Sequence, residues 1–191
     1  MYSDRHVETD TLRWVCGGHG RAADRSGFAG HLSRRYVAVR QTREKDIALR
    51  LNVANQTTPV TAEELHTSCQ TKPFVPDAAT LGTSHSLSAE DFRDLPVALV
   101  DPKKQNKKVK ERDPSKTIRE GKSVEDALRE AFQSALFTLS DVVFDKEREH
   151  AAVQYSFHCG GLCGNGATLI FHKTANGWEQ DNKLLCSFWQ A

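Results

Sequence analysis

The sequence predicts an α+β fold in which one amphipathic helix packs on a four- to five-stranded antiparallel meander, cystatin-like or NTF2-like in its order of elements. Three observations carry that prediction. Apolar residues recur at helical spacing across 123–136, the period falls to two from Leu139 onward, and Asn176-Gly177 is a strong hairpin signal between two such runs. The length agrees, since 191 residues, 38% hydrophobic and 27% charged, suit one domain with a tail.

Composition excludes several classes of function. No stretch approaches the roughly twenty apolar residues of a membrane-spanning helix. The start, MYSDRHVETDTLRWVCGGHG, has no apolar h-region, which as written places the chain in the cytoplasm. A start assigned in the wrong place would instead leave an exported or periplasmic protein. Lys and Arg total 26 against 25 Asp and Glu, so no global field draws nucleic acid or an anionic membrane.

Residues 1–49 hold most of the arginines and scattered glycines, and no hydrophobic period precedes Tyr36. This segment reads as a poorly ordered Arg-rich segment, or alternatively as a gene-assignment artefact, and 50–191 as a single α+β domain. A short Cys16/His19 metal site lacks supporting spacing. Tyr36–Val39 and Ile47–Val53 read as two short strands able to pair as a hairpin. Thr61 caps one short helical turn, and Ser88, with an acid three residues on, caps another that Pro96 ends.

Residues 101–122, DPKKQNKKVKERDPSKTIREGK, carry nine basic and four acidic residues and read as a solvated loop. Lys103, Lys104, Lys107, Lys108 and Lys110 are the only candidate contact for nucleic acid, and no aromatics are interleaved for base stacking. Ser123 caps the main helix, whose stripe of Val124, Ala127, Leu128, Ala131, Phe132, Ala135 and Leu136 is expected to be core. Leu139–Phe144 is then the first strand of the meander. In the second, Ala151, Val153, Tyr155 and Phe157 face one way and His150, Gln154, Ser156 and His158 the other. Thr168–Lys173 makes the third and Trp178 begins the fourth, with Leu184–Trp189 extending it or forming a fifth.

Between the second and third strands lies Cys159-Gly160-Gly161-Leu162-Cys163-Gly164-Asn165-Gly166, with more glycines than an ordinary hairpin loop needs. The loop folds tightly on itself, wraps a ligand or packs under another segment. Four readings of the cysteines stay open. Cys159, Cys163 and Cys186 suit a disulfide, although such bonds seldom persist in a reducing cytosol. They also suit buried free thiols. With His158 or His172 as a fourth ligand they form a weak zinc set, since C-x3-C is not the paired C-x2-C of common ribbons. A catalytic thiol would need an oriented histidine that the spacing does not single out.

The order Leu139-Ser140-x-Val142-x-Phe144-Asp145, then Ala152-Val153-x-Tyr155-Ser156-Phe157-x-Cys159-Gly160-x-Leu162-Cys163-Gly164-x-Gly166, then Lys173 and Asn176-Gly177-Trp178, resembles a pattern of uncharacterised bacterial proteins. The resemblance spans about the last fifty residues and implies no activity. Those proteins often look exported or lipid-anchored, which would favour the disulfide.

No paired acid and base, nucleotide loop or complete metal-ligand set is present in the sequence. The expectation is a non-enzymatic binding or interaction domain, without a cofactor, in which the Cys/Gly loop is structural. The alternative is a thiol- or metal-dependent hydrolase using Cys159 or Cys163 with His158 or His172.

Overall fold

The computed structural model describes residues 50–68, 74–92, 95–181 and 186–191. The strands are β1 (Leu51–Ala54), β2 (Val97–Val100), β3 (Leu136–Leu139), β4 (Val143–Phe144), β5 (His150–Gly160), β6 (Cys163–Thr174), β7 (Gly177–Gln180) and β8 (Phe188–Gln190). The helices are α1 (Ala62–Ser68), α2 (Pro102–Glu111), α3 (Pro114–Arg119) and α4 (Val124–Ser134).

All eight strands join one mixed sheet in the order β2-β1-β3-β5-β6-β7, with β4 beside β5 and β8 beside β6. This overturns the helix-on-meander prediction. β1 runs parallel to both β2 and β3, and only the half from β3 onward is antiparallel. Parallel neighbours require long crossovers, here residues 55–96 and then the α2–α3–α4 segment. Such pairs join residues far apart in sequence, for example Leu51 with Val97, so no local period announces them. The first strand of the expected 36–53 hairpin lies outside the described residues.

The solvated-loop reading of 101–122 is also corrected, because the segment forms α2 and α3. Each begins with Asp-Pro: Asp101 accepts from the amides of Lys103 and Lys104, at 2.8 and 3.0 Å, and Asp113 from that of Ser115 at 2.9 Å. Aspartate caps the free amides of the first turn, and proline just inside loses no hydrogen bond there. The expected caps at Thr61, Ser88 and Ser123 form as well, each closed by the acid three residues on.

Alternation along the strands builds the core. Leu51, Val53, Phe137, Leu139, Val153, Phe157 and Phe171 face one cluster, covered by Ala131, Ala135 and Phe132 of α4. Leu136 and Ala54 meet Val109 of α2 in a second cluster. Val143, Ala152 and Ile170 meet Val60 and Leu65 in a third. The stripe of α4 is narrower than expected. Leu128 is 38% and Val124 59% exposed, while Ala127 and Ala131 are fully buried. The helix meets the sheet through its small residues and Phe132, and leaves Val124 and Leu128 exposed. Leu136 already belongs to β3, and Ala135 caps the helix.

The second hairpin forms where Asn176-Gly177 predicts it, with φ of +117° at Gly177. The last run does not extend that strand. β8 pairs with β6 beyond the end of β7, aligning Trp189 with Gly166.

Candidate functional site

The glycines of 159–166 are each taken up by a neighbour. β5 and β6 are joined by a tight turn at Gly161-Leu162, with Gly160 paired to Cys163 and a register shift between His158 and Gly160. The sulfurs of Cys159 and Cys163 lie at disulfide distance and their Cα atoms are 5.1 Å apart. Gly160 has φ of +156°, and a Cβ there would lie 2.7 Å from Pro114 Cδ, so only glycine fits. The Gly161 amide donates to Asp113 Oδ2 at 2.6 Å. One carboxylate therefore caps α3 and clamps the hairpin turn. The Gly161 amide, with help from those of Ser115 and Lys116, holds the Asp113 carboxyl below its ordinary range against the opposing effect of burial.

On the opposite face, Gly164 and Gly166 make room for Trp189. A Cβ at Gly166 would lie 2.5 Å from the indole Nε1 and 2.7 Å from Tyr155 O, and one at Gly164 would meet the far edge of the ring at 3.5 Å. The indole thus lies across two glycines of the neighbouring strand and remains 39% exposed. The His158 ring stands 5.7 Å from it, centre to centre.

Beside Trp189 the sheet face opens into a cleft of about 210 Å³, lined by Thr58, Thr138, Gln154, Ser156, Thr168 and Ser187, with Tyr155 and Ala167 completing it. Thr138 and Ser156 hydroxyls bond each other at 2.7 Å. The Gln154 side-chain amide and the Thr168 hydroxyl form no hydrogen bond with the described residues. Tyr155 turns its ring the other way, onto Phe137 at 5.7 Å. Among the described residues no Asp, Glu, Lys, Arg, His or Cys lines the cleft.

The cysteine and histidine candidates are not gathered. Cys159 and Cys163 face the main core, while His158 points to the opposite face beside Trp189. His172 is paired with His150 at the far end of the same two strands. Cys186 is disulfide-bonded and packs on the third cluster. Among the described residues no three His, Cys, Asp or Glu side chains are placed to hold a metal ion. Cys16 and His19 lie outside those residues. Lys103, Lys104, Lys107, Lys108 and Lys110 stand exposed on α2, whose inner positions are Gln105 and Val109.

One cluster has no forewarning in the sequence. Asp141, 1% exposed, accepts from the Thr83 hydroxyl at 2.8 Å and the Val142 amide at 2.8 Å, and faces His85 Nδ1 at 3.1 Å. Its amide bonds Thr58 O, so the cluster ties residues 57–58 and 83–85 to the β3–β4 corner beside the cleft. At the other end Asp145 meets His150 Nδ1 at 2.9 Å. Burial raises the Asp145 carboxyl, but hydrogen bonds from the His150 amide and ring and from the Glu149 amide together hold it below its usual range.

Set against known protein families, curated proteins and solved structures, the chain matches none of them, so no activity reaches it from a relative. No helix among the described residues is long and apolar enough to cross a membrane.

Proposed function

We propose that residues 50–191 form a non-enzymatic binding domain that takes an uncharged polar ligand in the cleft beside Trp189, in an oxidising compartment. One observation carries this reading: among the described residues the cleft is lined by hydroxyls, an amide and an indole and by no carboxylate, amine, imidazole or thiol. General acid–base and nucleophilic chemistry require a titratable group at the reacting atoms. Hydrogen-bonding groups around an aromatic wall instead orient a ligand without transforming it. The disulfide at the head of the hairpin is then structural, which favours an exported protein, since a reducing cytosol opens such bonds.

The test is a ligand-observed NMR screen of uncharged polar fragments against the full chain purified without reductant. The reading expects hits that vanish in the Gln154→Leu and Thr168→Val variants at unchanged melting temperature. Hits indifferent to both substitutions, or iodoacetamide-sensitive ester hydrolysis by the same preparation, would overturn it.

A further inference from the structure

We infer that the ligand of this cleft is a neutral carbohydrate, its C–H face laid on Trp189 and its hydroxyls bonded to Thr168, Gln154 and Ser187. The inference rests on the proposed function and narrows it. A charged ligand would surrender its hydration to a lining with no countercharge among the described residues. A wholly apolar one would cover the Thr168 hydroxyl and the Gln154 side-chain amide, which form no hydrogen bond with the described residues, and leave both unsatisfied. The ligand must therefore combine closely spaced neutral donors and acceptors with an apolar face. A sugar ring has both, with hydroxyls at its rim and C–H groups across its face.

The protein side is arranged to match. Trp189 is held by pairing of β8 with β6, and the two glycines beneath fix the indole against backbone while part of it stays exposed. A platform ordered beforehand loses little entropy when a ring settles on it. Thr138 and Ser156, already bonded to each other, keep acceptor lone pairs for a ligand hydroxyl. An extended peptide fits less well. The floor is a sheet face whose backbone groups are paired across β3, β5 and β6, so it offers no strand edge for a peptide to join.

The experiment presents the full chain, purified without reductant, to an array of neutral oligosaccharides of glucose, galactose, mannose and N-acetylglucosamine and to an array of uncharged polar peptides. The strongest binder from each array is then titrated by calorimetry. The expected result is a saturable oligosaccharide whose affinity falls by roughly tenfold or more in Trp189→Ala. In Thr168→Val, which keeps the side-chain shape should Trp189→Ala fail to fold, the loss is about three- to tenfold. Leu162→Ser, at the exposed hairpin tip, leaves binding unchanged. Saturable peptide binding that needs Trp189 and Thr168, with every oligosaccharide inert, would overturn the carbohydrate and keep the binding cleft. Oligosaccharide binding indifferent to both variants would also overturn the inference. No cleft-dependent binding on either array would overturn both it and the proposed function.

Discussion

One face of the β5–β6 hairpin is built in two ways along its length. At one end Ala152 pairs with Ile170, and both lie with Val143 beneath Val60 and Leu65, dry and apolar. One pair further along, Gln154 faces Thr168, then Ser156 faces Gly166, and the same face is polar, open and flanked by Trp189. Pleat and register run unbroken through the change. Strand formation therefore does not dictate the switch, because apolar residues would satisfy the same pairing. The apolar end holds the fold together, and the polar end leaves the Gln154 side-chain amide and the Thr168 hydroxyl without a hydrogen bond to the described residues, for a ligand to satisfy.

The largest effect should come from breaking the apolar end. Ile170→Ala empties a site that is 2% exposed and should cost about 2–5 kcal/mol in urea denaturation, with cleft affinity retained in the fraction that folds. A change within about 0.5 kcal/mol would show that this end is not core.

Removing the clasp at the other extremity is next. The Cys159→Ala/Cys163→Ala double variant should lose about 2 kcal/mol, since a short loop restrains the unfolded chain only modestly. An unchanged denaturation midpoint in protein kept free of reductant would mean that the clasp contributes nothing.

Asp113→Ala should cost about 1 kcal/mol by uncapping α3 and freeing the Gly161 amide. Because its carboxyl is held below the usual range when folded, its contribution is complete above the unfolded value of about 3.9. That contribution is lost as pH falls through the folded value. Denaturation midpoints of wild type and Asp113→Asn should thus differ at neutral pH and converge in acid. A gap that widened in acid would contradict the clamp.

The smallest effect belongs to Leu128→Ala. At 38% exposure it should shift stability by no more than about 0.5 kcal/mol, far below the cost expected from reading its stripe as core. A loss above about 2 kcal/mol would restore that reading.

What the sequence disclosed was local. Hairpins, caps and alternation involve residues a few positions apart, and β5, β7, the second half of β6 and the caps at Thr61, Ser88 and Ser123 were legible from such spacings, whereas the first residues of β6, Cys163–Gly166, read as loop. The parallel β1–β2 and β1–β3 pairs join distant segments, and nothing in Leu51–Ala54 names Val97–Val100 as its partner. Helices α2 and α3 were missed although the repeated Asp-Pro steps announce two helix starts. The weight of charge around Lys103–Lys110 masked the single inward positions Gln105 and Val109. The glycines of 159–166 were visibly unusual, but the reason for each sits elsewhere in the chain, at Asp113, Pro114 and Trp189. The cleft was invisible for the same reason. Its residues come from Thr58, β3, β5, β6 and the last few positions, which only the sheet assembles.

The contrast between the two ends is tested most directly by backbone amide chemical shifts of the full chain, followed by NMR while the strongest neutral oligosaccharide is added. The account predicts saturable shifts at Gln154, Ser156, Gly166, Thr168, Ser187 and Trp189, with Ala152 and Ile170 unmoved. Shifts gathered on Lys103–Lys110 of α2, or spread over the apolar end instead, would contradict it.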